Sequence, residues 1–246
     1  MTHIFVDPAE VQGDVLHITG SDYNHIRNVL RMKPGEEISV STGADGREYR
    51  FGIEEITDEQ ILCRLRFVKE ANVELPVKVI LFQGLPKADK MDLIVQKAVE
   101  LGVFEIVPVE TARAVVKLDE GKKTKRRERW QKIAESAAQQ CRRGIVPAVR
   151  DVMTFQEALA YAGIETDRGF IPYELQESAG TRELVEQVKP DERIALFIGP
   201  EGGFTPEEVK AAQERRILPI SLGRRILRTE TAAMTFLSWM IYTFEV

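Results

Sequence analysis

The spacing of apolar residues changes character partway along the chain. Up to about residue 70 they come in short runs divided by turn residues. Val15–Ile18 reads as a strand, and Ser21-Asp22 opens a short helix that runs to Arg31 and stops at Lys33-Pro34-Gly35. Glu37–Ser41 and Glu48–Ile56 flank Ala44-Asp45-Gly46, a hairpin signal. In the next run Cys63, Leu65 and Phe67 alternate with Arg64 and Arg66, which predicts one buried and one wet face. Short strands divided by turns predict a small barrel. Ala71–Pro76 has no periodicity and reads as a linker.

Beyond the linker the runs become continuous. Val77–Phe82 is apolar throughout, as a strand buried on both faces requires. After the loop Gly84–Lys90, the helix Met91–Leu101 carries Ile94, Val95, Ala98 and Leu101 at helical spacing, with Gly102 as its stop. The pattern then predicts a strand at Glu105–Val109, a long helix at Lys125–Arg142 and an extended piece at Val146–Val149. A helix at Phe155–Tyr161, a strand at Gly169–Tyr173 and a helix at Arg182–Val188 follow. Ile194–Ile198 is a strand that stops at Gly199-Pro200-Glu201-Gly202-Gly203. Thr205-Pro206-Glu207-Glu208 opens a helix with a hydroxyl cap, a proline and first-turn acids. Ile217–Leu222 is the last strand, and the basic loop Arg224–Arg228 leads into Glu230–Phe244, apolar almost all round. Such a helix is expected in a core or a subunit interface. Alternating strands and helices predict an α/β fold with a mostly parallel sheet. The glycine loop and the basic loop leave two of its strand ends, where open α/β sheets bind ligands.

The 246 residues fit one large or two small domains, and 43% hydrophobic with 30% charged residues suits a packed core. No apolar run is long enough to span a bilayer. Cys63 and Cys141 are too few for a disulfide framework or a Cys-rich zinc site, which points to a reducing cytoplasm. His3, His17 and His25 are all far from the glycine loop in sequence, so neither a metal nor a histidine catalyst is expected there. The spacing G-x-x-G-G fits neither a dinucleotide fingerprint nor a P-loop. A net charge of −5 argues against attraction of nucleic acid by the whole surface. Four local basic clusters nevertheless suggest an RNA or DNA face: Arg27, Arg31 and Lys33; Lys122–Arg129; Arg142 and Arg143; Arg224, Arg225 and Arg228.

Three stretches, FIGPEGGFTPEE, SLGRRILRTETAA and GLPKADKMDLIVQKAVELGV, resemble the bacterial small-subunit ribosomal RNA uridine N3-methyltransferases, the RsmE type. The GPEGG loop alone marks the wider SPOUT superfamily. The resemblance covers nearly the whole chain and implies a PUA-like β-barrel RNA-binding domain at 1–70, a linker at 71–76 and a SPOUT methyltransferase domain at 77–246. It further implies a C-terminal trefoil knot, S-adenosylmethionine as cofactor and a homodimer. By position, Leu196, Gly199, Glu201, Gly202 and Gly203 would line the methionine and ribose side of the cofactor. Leu222, Gly223, Ile226, Leu227 and Arg228 would cup its adenine. Arg228 and Glu230 are the candidate catalytic residues, for a reaction in which uridine N3 must lose its proton before it attacks. Arg27, Arg31, Lys33, Lys87, Lys90, Lys97, Arg113 and Arg142 are candidates for holding small-subunit ribosomal RNA or the assembled 30S subunit. Family members often carry Arg where this chain has His3. Two alternatives remain at this level: a ribosome-assembly factor that binds RNA without catalysis, and a SPOUT enzyme acting on another RNA position.

Overall fold

The computed structural model describes residues 3–43, 45–70, 73–174 and 180–246. Ala44 of the expected hairpin turn and Ala71-Asn72 of the expected linker lie outside them. The chain divides into two compact units, one of 1–74 with 138–146, the other of 75–137 with 147–246.

In the first unit β1 (His3–Phe5), β2 (Val11–Gln12) and β3 (Val15–Ile18) precede α1 (Gly20–Asn24), and β4 (Glu37–Ser41), β5 (Arg47–Ile56) and β6 (Ile61–Glu70) follow. They form one six-stranded sheet in the order β1-β4-β5-β6-β3-β2. The inward residues Ile4, Leu16, Ile38, Val40, Phe51 and Ile61 make a single core, with Ile26 and Tyr23 from the helical segment packed into it. Two register shifts in the β5–β6 ladder bend the sheet around that core. One of them corrects the expected alternation. Arg50 pairs with Phe67 while Phe51 pairs with Leu65, so Arg66 is the extra residue and the faces swap beyond it. Cys63 is buried as expected, but Phe67 is 52% exposed. The expected helix to Arg31 is also shorter. α1 passes into a π-helical turn, His25–Val29, and Arg31 has left the helix with φ 54°. Arg27 and Arg31 therefore do not share a regular helical face. Segment 138–146 is fixed within this unit by a bridge between Gly43 and Ile145 and by Arg143 Nε donating to Glu74 at 3.0 Å.

The second unit runs β7 (Lys78–Gly84), α2 (Lys90–Glu100), β8 (Glu105–Glu110), α3 (Glu120–Cys141, its residues from 138 on counted with the first unit), β9 (Ala148–Val149), β10 (Met153–Thr154), α4 (Phe155–Glu165), β11 (Arg168–Pro172), α5 (Thr181–Glu186), β12 (Arg193–Ile198), α6 (Pro206–Glu214), β13 (Ile217–Ile220) and α7 (Thr229–Glu245). Every ladder is parallel, in the order β10-β8-β7-β12-β11-β13 with β9 beside β8. The central strands are the unbroken apolar runs, which suits burial on both faces. Phe82 of β7 and Phe197 of β12 stack with ring centroids 4.4 Å apart, and Phe155 of α4 closes on Phe197 edge-on. α7 is not apolar all round in its setting. It buries Ala232, Ala233, Phe236, Leu237 and Met240, packs against α2, and leaves Tyr242 73% exposed.

Candidate functional site

Sheet order decides where the site lies. β11 sits between β12 and β13, and the three strands end at one edge: Ile198, Pro172 and Ile220, the last two a registered pair. The residues that follow each strand enclose a cavity of about 400 Å³, within the range of small-molecule sites.

The first wall is the glycine loop. Pro200 presses so closely on the end of β7 that a Cβ at Gly84 would stand 2.6 Å from Pro200 Cδ, so position 84 admits only glycine without a shift. Beyond the loop, Thr205 Oγ1 accepts from Glu208 N at 3.2 Å and the Glu208 carboxylate accepts from Thr205 N at 2.9 Å. This reciprocal cap fixes where α6 begins and so where the loop ends. Glu208 also accepts from Ala112 N at 2.8 Å, tying the cap to the segment after β8.

The second wall is Ser221–Arg228. Gly223 has φ +111°, and a Cβ there would meet nothing within 4 Å. The backbone at that position therefore borders open space. Ser221 N donates to Thr181 Oγ1 at 3.0 Å, which anchors the start of the loop to α5. Leu222, Ile226 and Leu227 give this wall apolar side chains, Ile226 being 86% exposed. The third wall is Pro172, Tyr173 and Glu174, with Tyr173 N donating to Ile220 O at 3.0 Å.

One of the lining cations is tied to acids. Lys90 Nζ, at the start of α2, is 2.8 Å from Glu201 Oε1 and 4.0 Å from Glu230 Oε2. Lys87 N also donates to Glu201 Oε1 at 3.1 Å. Burial pushes the Glu201 carboxyl up, but the hydrogen bonds from Lys90 and from backbone amides outweigh it, and the group lies below the usual carboxylate range. Among the described residues, Glu230 Oε2 is buried without a hydrogen-bond partner. Arg228, in extended backbone just before α7, is exposed and lines the cavity.

Eight of the ten residues expected at the cofactor line this cavity: Gly199, Glu201, Gly203, Leu222, Gly223, Ile226, Leu227 and Arg228. Leu196 and Gly202 do not. Leu196 is fully buried inside β12. Gly202 faces Arg113: a Cβ there would be 3.0 Å from Arg113 Cβ, and its carbonyl accepts from Arg113 Nη1 at 2.9 Å. Glu230 stands behind Lys90, off the lining.

The residues expected at RNA fall in both units. Lys90 lines the cavity, Lys87 is exposed, Lys97 pairs with Glu100 at 2.7 Å, and Arg113 is engaged by Gly202. In the first unit Arg27 pairs with Asp58 at 2.9 Å and also donates to Tyr23 Oη and Thr57 O. Arg31, Lys33 and Arg142 are exposed. His3 is tied to Ser39 Oγ at 2.9 Å, and burial pushes its pKa down.

Sequence reasoning missed Pro172, Tyr173, Glu174, Ser221 and Thr229 on the lining. The order of strands in the sheet would have found the third wall, because the strand between two site-bearing strands must end beside them. Among the described residues, no group of His, Cys, Asp and Glu could hold a metal ion, and no helix is long and apolar enough to cross a membrane.

Residues 73–241 match an RNA methyltransferase domain family, and residues 18–66 match an RNA methyltransferase PUA domain family. The chain is 39% identical to ribosomal RNA small subunit methyltransferase E of Bacillus subtilis, over 93% of this chain and 90% of that protein. It is 30% identical to the protein of the same name in Mycobacterium tuberculosis, over 93% and 87% of the two chains. Among solved structures it resembles ribosomal RNA small subunit methyltransferase E of Neisseria gonorrhoeae bound to S-adenosyl methionine. That likeness has a TM-score of 0.84 and 29% identity over 99% of this chain and 98% of the other.

Proposed function

This chain belongs to the ribosomal RNA small subunit methyltransferase E family, and on that footing we propose that it transfers a methyl group from S-adenosylmethionine to N3 of a uridine in small-subunit ribosomal RNA. The observation that carries this reading is the cavity at the ends of β11, β12 and β13. Its residues fit the cofactor. The open space beside Gly223 leaves backbone free to meet the edge of an adenine, and Leu222, Ile226 and Leu227 offer surfaces for its ring. Glu201 is an ionised acceptor for hydroxyl or ammonium groups.

When bound, the cofactor supplies a methyl group on a sulfonium, already activated for transfer. The chain's part is position and electrostatics. A uridine loses its N3 proton more easily beside a cation, because the anion is then favoured. Lys90, Arg224, Arg225 and Arg228 are the cations on the lining. Arg228 would stabilise charge developing on a uracil carbonyl. Glu230 sits behind Lys90 and off the lining, so its part is to hold the ammonium in place rather than to meet the base.

The remaining assignments follow from the same membership. Residues 1–70 serve as the RNA-binding domain, 71–76 as the linker and 77–246 as the catalytic domain. The loops after β12 and β13 form a knot, a topology supported by the return of α7 from the second loop to bond with the first. The enzyme works in the cytoplasm as a homodimer on the 30S subunit. Exposed Leu93 on α2 and Tyr242 on the adjoining α7 give the two helices apolar surface for a second copy.

The test is methyl transfer from labelled cofactor to 30S subunits that lack the modification, followed by nucleoside mass spectrometry. The expected product is 3-methyluridine. Label on a ribose oxygen or another base would assign a different RNA position. No label, with RNA still bound, would favour an assembly factor without catalysis.

A further inference from the structure

α3 carries seven basic residues; Lys123, Arg126 and Arg127 lie on other faces, and the remaining four line up. Lys122, Lys125, Arg129 and Lys132 are three or four positions apart, and at 3.6 residues per turn they fall on one stripe. At 1.5 Å per residue the stripe is about 15 Å long. The opposite side of the helix, Trp130, Ala134 and Ala138, is buried, so the stripe faces solvent. The Lys122 and Arg129 side chains are 67% and 61% exposed. Among the described residues, Lys122 pairs with Asp119 in the turn before it, and Arg129 with Asp92 of α2.

A helix face that is merely solvated interleaves its charges and pairs them four residues apart. Here Glu128 precedes Lys132 by that favoured interval, yet among the described residues neither Lys125 nor Lys132 forms an ion pair. Like charges at this spacing repel one another, and the chain as a whole is acidic at −5, so the stripe is not a by-product of a basic composition. Beside it runs a shallow groove of about 420 Å³ that includes Ile133 and Ser136. What neutralises such a line is a ligand whose anions repeat along a line.

We propose that this stripe of α3 docks the sugar–phosphate backbone of the RNA substrate, a contact surface additional to the cavity. The proposal rests on the RNA methyltransferase reading. A row of lysines and one arginine contacting phosphates fixes register and orientation but reads no bases. Its loss therefore weakens binding to all RNA sequences alike.

The test compares the parent with a variant carrying Lys122→Gln, Lys125→Gln, Arg129→Gln and Lys132→Gln. A charge-preserving control carries Lys122→Arg, Lys125→Arg and Lys132→Arg. Binding to naked small-subunit ribosomal RNA is measured between 50 and 200 mM salt. Each phosphate contact contributes about 0.7 to 0.9 to the slope of log affinity against log salt, so the glutamine variant is expected to flatten it by about 3. The control keeps the parent slope, and cofactor affinity is the same in all three. An unchanged slope in the glutamine variant overturns the proposal. So does a variant that loses only binding to assembled subunits, since the partner would then be an acidic protein surface. A parent that binds no RNA at all defeats the underlying reading as well, which separates the two failures.

Discussion

Thr229 and Gly199 are joined by a short hydrogen bond: the Thr229 hydroxyl donates to the Gly199 carbonyl at 2.6 Å. Thr229 Oγ1 in turn accepts from Gln83 Nε2 at 2.8 Å. One hydroxyl thus connects the end of β7, the head of the glycine loop and the first residue of α7. Two of the three groups are out of water: Gln83 is fully buried and Thr229 is 5% exposed. A buried partner left unpaired costs its desolvation, so the bond matters more by its absence than by its presence.

Thr229→Ala is therefore expected to cost about 1–3 kcal/mol of stability and to weaken cofactor binding, because the two loops lose their common tie. Thr229→Ser keeps the hydroxyl and should stay near the parent in both. Urea unfolding and calorimetry check this. An alanine variant as stable as the parent would show that the tie is dispensable.

Arg228→Ala should lower turnover by about a hundredfold to a thousandfold at saturating cofactor and RNA, as loss of one transition-state donor does. Lysine restores charge without the planar fork and should recover only part of the rate. Single-turnover kinetics separate this from a loop-ordering role. In that case binding would suffer and the saturated rate would not.

The Glu201 carboxyl lies below its ordinary value of 4.5 in the folded chain. A depressed carboxylate adds stability above its unfolded pKa and loses it as pH falls through the folded one. The advantage of the parent over Glu201→Gln should thus be constant above about pH 4.5 and shrink below it. Urea midpoints between pH 3 and 7 give the comparison. A parent advantage that grows on acidification would contradict the assignment.

Burial pushes the Cys63 thiol up to about 12, whereas Cys141 is only half-buried. At pH 8 a soluble disulfide reagent should modify Cys141 and spare Cys63, because the thiolate is the reacting species. In denaturant both should react. Counting modified thiols by mass spectrometry decides it, and early modification at Cys63 would mean that the first-unit core opens readily.

Much of the second unit was legible because its strands are long apolar runs and its helices carry their own punctuation. Thr205-Pro206-Glu207-Glu208 announced the start of α6, and the structure adds the reciprocal hydrogen bonds that place it. β1, β2 and β10 are two or three residues each, too short for periodicity to register, whereas β9 falls inside the extended piece expected at Val146–Val149. The swap of faces at Arg66 depends on pairing with β5 and has no local mark. The same holds at the site. Glycine and arginine loops stood out by composition, but Tyr173 is an ordinary residue made significant by the strand beside it. At Gly202 the space a side chain would need is bounded by Arg113, a contact that sequence alone does not mark.

Among the described residues β13 is an edge strand paired with β11 alone, and the loop that leaves it supplies one wall of the cavity. Strands with a single neighbour open at lower free energy than the centre of a sheet. A ligand seated against Ser221–Arg228 binds only the closed arrangement, so it raises the opening free energy of that wall by an amount set by its concentration relative to its affinity. Cofactor residence and the fraying of four residues at the rim of the sheet then become one equilibrium. Replacing Ile217, at the other end of the strand from the cavity, with a smaller residue would shorten the time the cofactor stays.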